Sequence, residues 1–347
     1  MRPTGRGRHL RVAAVAALAL ALTATPGQPA HAEPTTLAEV RAELQRLYHD
    51  AAVATDKFNA ADEKVTAQEK RVRTLRDQVR AAERKLDRLT ASAGAAARAQ
   101  YRSGTGASLP AELQFVFADD PEHALDGASL ARRAQQSAAD VVTALTATGE
   151  ELRTRTDEAT GILERLKRDR RARDGERTTI ERRIAEAREV ESRLSGPQLR
   201  ALDALDAQAA KDAQERWVGT GVLESAGTTT TAAGKRAVEY AARQLGKPYV
   251  WGAEGPASFD CSGLTSQAWL AAGITIPRTS EAQWQGLPRV PVGSMRPGDL
   301  IIYYADASHV AIYVGNGEII AAPRPGRSVS VAPAGSMQIL GVVRPDA

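Results

Sequence analysis

Cys261 is the only cysteine in 347 residues, and it stands in Phe259-Asp260-Cys261-Ser262-Gly263-Leu264. A lone thiol forms no internal disulfide, and outside a reducing cytosol an idle thiol is open to oxidation. Chemistry is the economical reason to keep one. His309, in Ser308-His309-Val310, is the only histidine after position 123. A thiol nucleophile needs a base within reach, and this region offers a single imidazole. A lone histidine on a strand is usually structural; its pairing with a lone cysteine turns the reading towards a cysteine hydrolase.

Local sequence supplies the elements that would position the pair. Asp260-Cys261-Ser262 opens a helix expected over Gly263 to Ala272 and ended by Gly273. A thiolate at a helix N-terminus is favoured by the helix dipole and by unpaired backbone N–H groups, which lower its pKa from about 8.5. The same amides can hold the oxyanion of a tetrahedral intermediate. Asp260 or Ser262 serves equally well as a plain helix cap. Lys235 to Leu245 reads as an amphipathic helix stopped at Gly246. Pro297-Gly298-Asp299 leads into a strand at Leu300 to Tyr304. His309 to Val314, a turn at Gly315-Asn316-Gly317 and a return over Glu318 to Ala322 form a hairpin, and two further strands are expected around 328–331 and 339–343. Helices bearing the cysteine, packed on a small antiparallel sheet bearing the histidine, give an α+β fold.

The region before this module is of another kind. From Leu37 to Leu89 apolar residues step by three and four, with Gln68 the one polar residue among them, which is a coiled-coil pattern. A break at Ser103 to Gly127 contains the apolar stretch Leu113 to Phe117, read as the cap of a helical hairpin. A second long helix is expected over 130–194, with its seam swamped by charge between Lys167 and Thr179. A shorter helix follows at Gln198 to Trp217. The hairpin competes with an intermolecular coiled coil. Gly219 to Gly234 has no apolar period and reads as flexible. The expected organisation is therefore a signal at 1–32, a long all-α coiled-coil hairpin at 33–217, a flexible linker at 218–234 and the α+β module at 235–347.

The first 32 residues carry Arg2, Arg6, Arg8 and Arg11, an apolar run from Val12 to Leu22, and Ala30-His31-Ala32. This is the pattern of a secretory signal; its run is too short for a membrane span. The absence of a cysteine at the cleavage point argues against lipidation, and that of an Arg-Arg pair against twin-arginine export. The chain has 46 basic and 42 acidic residues, and removing the signal would leave 42 of each. A near-neutral protein offers no electrostatic basis for binding nucleic acid. No metal-ligand cluster or phosphate-cradling loop appears, so neither metal nor cofactor is expected.

Residues 235–347 resemble the NlpC/P60 cell-wall peptidases, in Gln244 to Gly252, Phe259 to Leu264, Pro277-Arg278-Thr279-Ser280, Pro297 to Leu300 and Ser308 to Gly315. The resemblance implies a papain-like α+β fold with Cys261 as nucleophile and His309 as general base and acid. It places Tyr249 near the oxyanion and Asp260, Ser262 and Arg278 around the cleft. It implies a secreted, wall-associated endopeptidase cutting the γ-D-glutamyl–diamino acid bond of peptidoglycan stem peptides, in wall remodelling or daughter-cell separation. The family's third polar residue falls here on Ala321, which cannot accept a hydrogen bond. Asp306, Gln283 and Ser330 are candidate substitutes, and a weakened module that binds or scaffolds wall material is the rival reading. An amidase or acyltransferase of related architecture is a third. The helical region is expected to mask the cleft, to dock on a membrane-bound activator, or to act as a plain spacer.

Overall fold

A computed structural model describes residues 36–102, 121–227 and 229–347. The expected signal at 1–32 and the apolar stretch 113–117 lie outside the described residues. Helix α1 (Leu37–Arg102) is 66 residues long, about 100 Å at 1.5 Å per residue. It pairs lengthwise with α2 (Pro121–Ser192), which begins earlier than the sequence pattern indicates. The two form the long helical hairpin.

The three-four pattern of α1 is its buried seam. Val40, Leu44, Leu47 and Tyr48 meet Ala187 of α2 and Leu202 of α3 (Gly196–Val218). Ala51 and Ala54 meet Ile180 and Ile184. Val65, Val72 and Leu75 meet Ile162 and Leu166. Between the last two clusters lies the charge-rich stretch of α2, where polar rungs replace apolar ones. Gln68 Nε2 donates to Asp169 at 2.6 Å, and Arg173 pairs with Asp62 at 3.1 Å. Gln68, the polar residue of the seam, thus has its partner opposite.

The remaining residues fold around a six-stranded antiparallel sheet. Its strands are β1 (Arg289–Val290), β2 (Leu300–Tyr303), β3 (His309–Gly315), β4 (Glu318–Ala321), β5 (Ser330–Pro333) and β6 (Ile339–Val343), in the order β1-β6-β2-β3-β4-β5. β1 is too short to leave a sequence signal, and β5 starts two residues later than expected. The β3–β4 hairpin pairs Ile312 with Ile320 and Tyr313 with Ile319. A bulge then shifts the register, so that Gly315 meets Glu318.

One sheet face carries Leu300, Ile302, Val310, Ile312 and Val343. It is covered by α4 (Ala232–Ala242) and α5 (Cys261–Ala271) through Ala237, Ala241, Leu264, Ala268 and Trp269. The other face carries Ile301, Tyr303, Ala311, Tyr313, Ile319 and Val342, and here the structure corrects the expected boundary. Residues 218–234 are no free tether: Val222, Leu223 and Ala226, with Trp217 of α3, pack over this face. Gly227 N donates to Met295 O at 2.8 Å. Gln214 of α3 bonds Gly317 O and Gly335 N. Without this cover two tyrosines and several branched side chains would face water, at about 25 cal/mol per Å² of apolar surface. Three apolar residues in a turn-rich stretch are enough to build it, yet too few to make a period.

Candidate active site

Cys261 is the first residue of α5, and Asp260 caps that helix, its Oδ1 accepting from Gly263 N at 2.7 Å. Gly263 is dictated by packing: a Cβ there would lie 2.2 Å from Ala253 O. That close approach seats the helix tip against the loop from Tyr249 to Phe259.

Asp260 does more than cap. Its carboxylate also receives Gly252 N at 2.9 Å and both terminal nitrogens of Arg278, at 3.0 and 2.7 Å. Arg278 donates further to Ser262 Oγ at 2.9 Å, and its Nε bonds Glu254. The fork geometry suits a carboxylate, and the paired anions hold the guanidinium above its ordinary pKa. Asp260, Ser262 and Arg278 are all buried. Expected around the cleft, they form a buried ionic frame at the base of the helix that carries the thiol. Tyr249 is buried beside them, with the Thr55 hydroxyl as its partner. Burial and the neighbouring Cys261 and Asp260 push its phenol well above the usual range.

His309 opens β3 and is buried. The Cys261 sulfur accepts a hydrogen bond from the backbone N–H of Val310, the next residue, so thiol and imidazole are carried by elements that touch. Burial drives the imidazole down to about 4, which leaves it neutral, the form that can take a proton. Its Nε2 is buried without a partner. Ala321, at the place where an acceptor was anticipated, is a buried methyl in the core of the same sheet face. None of the suggested substitutes replaces it. Asp306 binds His49 and Ser308 N. Gln283 binds Thr265, Ser262 O and Pro277 O. Ser330 is exposed on β5.

The thiol does not match the expectation of a lowered pKa. Burial first, then the charges of Asp260 and Asp56, push it up to about 12. Asp56 belongs to α1, which lies across the site. Its carboxylate accepts from Ser280 N at 2.8 Å, Ser280 Oγ at 2.9 Å and Glu281 N at 3.2 Å. Asn59, one helical turn on, donates to Asp260 Oδ2 at 3.0 Å. Phe58 stacks edge-on to Trp251, with centroids 5.1 Å apart. Further along α1, His49 pairs with Asp306 at 3.1 Å and Tyr48 lies beneath Arg324. Sequence reading missed Thr55, Asp56 and Asn59. They sit one or two positions off the hairpin seam, and polar residues there read as solvated.

A thiol and a neutral imidazole on touching elements, with backbone N–H groups at a helix tip, are equipped for acyl transfer. Among the described residues, no group of three His, Cys, Asp or Glu could hold a metal ion.

The model of the NlpC/P60 family matches residues 246–339. A probable endopeptidase of Corynebacterium glutamicum is 41% identical over 120 residues, 34% of this chain and 56% of that protein. The probable endopeptidase p60 of Listeria monocytogenes is 48% identical over 88 residues, 25% of this chain and 18% of that protein. The chain thus spans little more than half the length of the first of these and less of the second. Among solved structures, the NlpC/p60 domain of the peptidoglycan hydrolase SagA is 34% identical, with 32% of this chain and 97% of that one covered and a TM-score of 0.30. The cysteine, the histidine and the ionic frame all fall inside the matched segment, and this chain carries an NlpC/P60 family domain at its C-terminal end.

Proposed function

We propose that the chain is a secreted, wall-associated cysteine endopeptidase that cuts the γ-D-glutamyl–diamino acid bond of peptidoglycan stem peptides, held latent by its own hairpin. The observation that carries this is the seating of the Cys261 sulfur on the backbone N–H of Val310, the residue that follows His309 on β3. In this mechanism His309 takes the thiol proton as the sulfur attacks the amide carbon. The oxyanion forms at the tip of α5 near Tyr249, and His309 returns the proton to the departing amine. Water then releases the acyl group by the same steps in reverse roles.

The choice of bond has its own support. A γ-linked glutamyl residue keeps a free α-carboxylate, and Ser280 N, Ser280 Oγ and Glu281 N already hold a carboxylate, that of Asp56. The hairpin fills that place, so a substrate must displace α1. A membrane-bound activator pulling on the far end of the hairpin would do this, consistent with a lever about 100 Å long. The test is a digest of muropeptides by the full chain and by Cys261→Ala, read by mass spectrometry. Products ending in γ-D-glutamate and beginning with the diamino acid are expected from the first protein only. Cleavage at another bond, or equal cleavage by both, would overturn the reading.

The orphan Nε2 of His309 and the methyl of Ala321 favour a second reading, a weakened module that binds wall peptides. On the peptidase reading, Ala321→Asn supplies the missing acceptor and raises turnover about tenfold, since an orienting group positions the base. It costs about 1–3 kcal/mol of stability through overpacking. Turnover measured against an unfolding curve separates these effects; a folded Ala321→Asn protein with no gain would mean that the imidazole needs no side-chain acceptor.

A further inference from the structure

We propose that the middle of the hairpin binds a flexible polyanion, a polyol chain joined by phosphodiesters, on a belt of arginine and lysine that encircles the rod. The belt uses no residue of the candidate active site, so it stands or falls apart from the peptidase reading.

Residues 64–76 of α1 lie opposite 159–171 of α2: Val65, Val72 and Leu75 pack on Ile162 and Leu166, and Glu69 pairs with Arg170. These two stretches hold ten basic residues and three acidic ones. A net charge of +7 therefore sits on about 20 Å of rod, in a chain whose whole formal charge is +4. Arg71, Lys167 and Arg170 have carboxylate partners. The other seven bases are exposed and have none among the described residues. The acids at the margins are already engaged, Asp62 by Arg173, Asp77 by Arg80 and Glu158 by Arg71. Nearer the domain, by contrast, Arg177, Arg182 and Arg183 each meet a glutamate.

The belt works against the hairpin that carries it. Arg165, Arg168 and Arg171 follow one another at three-residue spacing, where like charges repel along a helix. They do so where polar rungs such as Gln68 on Asp169 have replaced apolar packing. A bound polyanion would cancel that repulsion, and release of its counterions would favour binding.

The arrangement of the unpaired bases decides the kind of polyanion. At 3.6 residues per turn, Lys64 falls on one flank of the α1 seam, Arg73 and Arg76 on the other, and Lys70 behind. On α2, Arg165 falls on a flank and Arg168 and Arg171 behind. A flat membrane or a stiff duplex would meet one side of such a belt, whereas a flexible chain can wrap it. The exposed large apolar residues of the protein all lie elsewhere, so nothing here would anchor in lipid. The two stretches contain no aromatic residue, so nothing would stack with bases of a single strand. Five of the seven unpaired bases are arginine, whose planar fork suits phosphate oxygens. A base-free polyol phosphate fits all of these conditions.

The test measures fluorescence anisotropy of end-labelled poly(glycerol phosphate) titrated with the full chain. Binding is expected at about 50 mM salt, weakening about fifty-fold by about 200 mM if some four phosphates are held. Arg165→Gln, Arg168→Gln and Arg171→Gln together should weaken it about tenfold or more and flatten the salt dependence. Lys64→Gln, Lys70→Gln and Arg73→Gln, on the other helix, should do the same. Glutamine is a good helix former, so both proteins should keep the helical circular dichroism of the parent. The control is Arg84→Gln, Arg88→Gln and Arg153→Gln, an equal charge loss at exposed positions farther along the rod, which should leave affinity within about twofold. No binding by the parent, or equal weakening by the control, overturns the belt. Tighter binding of phosphatidylglycerol vesicles, poly-L-glutamate or oligothymidylate than of the polyol phosphate overturns the choice of partner.

Discussion

Replacing Asp56 and Asn59 together by alanine is expected to raise muropeptide hydrolysis by the full chain about a hundredfold. Asp56 accepts three hydrogen bonds from Ser280 and Glu281, and Asn59 donates one to the carboxylate of Asp260. Hydrogen bonds to charged groups are worth about 1.5–3 kcal/mol each. Much of that returns as water when the cleft opens, so a net loss of about 3 kcal/mol for the pair is reasonable, or about two decades of population. The hairpin itself should stay folded, since both residues lie outside its seam. Phe58 on Trp251, His49 on Asp306 and Tyr48 on Arg324 remain to hold it near the domain. A matched control is Glu83→Ala with Asp87→Ala, two exposed residues farther along α1. Parent, opened variant and control are compared at equal concentration, with thermal unfolding measured alongside. Equal rates for all three would mean that α1 does not restrain the site.

The variant must be made in the full chain. A fragment beginning at residue 235 would lack Trp217, Val222, Leu223 and Ala226, and would expose the sheet face that carries Tyr303 and Tyr313. Any activity change in such a fragment would mix release of the cleft with loss of the core. Substituting at the contact keeps the two apart.

What could be read in advance followed from strong local rules. Heptad spacing named the seam of α1, and the structure buries Val40, Leu44, Leu47, Val65, Val72 and Leu75 as that spacing requires. The capping aspartate before the lone cysteine located the helix that starts there. What escaped has a common cause. The contacts of Asp56 with Ser280 and of Asn59 with Asp260 join positions more than 200 residues apart, and no local period encodes them. The cover made by 222–226 depends on three side chains meeting a sheet face that is assembled only by later strands. The thiol was misjudged for the same reason. A helix tip favours the thiolate, but burial, with the charges of Asp260 and of Asp56 from a helix elsewhere in the chain, outweighs that local help.

Alkylation of Cys261 provides a test of that balance, and here the sign can be worked out. In the closed chain burial and the Asp260 and Asp56 charges hold the thiol at about 12, so at pH 7.5 roughly one sulfur in tens of thousands is ionised. An ordinary thiol near 8.5 would be about one-tenth ionised at that pH. Because the closed form has the raised value, it favours the protonated thiol. That preference is fully present below the pKa of the open form and is lost as pH rises from there towards about 12, so alkaline pH should favour opening. His309 acts at the other end: burial holds it at about 4, so the closed form resists protonation and acid should favour opening between the usual imidazole range and about 4. Asp56 opposes this at acid pH, since burial raises its own carboxyl in the closed form. The expected result is slow iodoacetamide labelling of the parent near neutrality, rising steeply above about pH 8.5. With Asp56→Ala and Asn59→Ala in place, labelling at pH 7.5 should be faster by about a hundredfold or more, with its midpoint moved down. A midpoint at or below about 7 in the opened chain would mark a thiolate prepared by its helix tip and imidazole. A midpoint of about 8.5 would instead favour the weakened wall-binding module. Identical labelling of parent and opened chain at every pH would show that α1 does not burden the thiol at all.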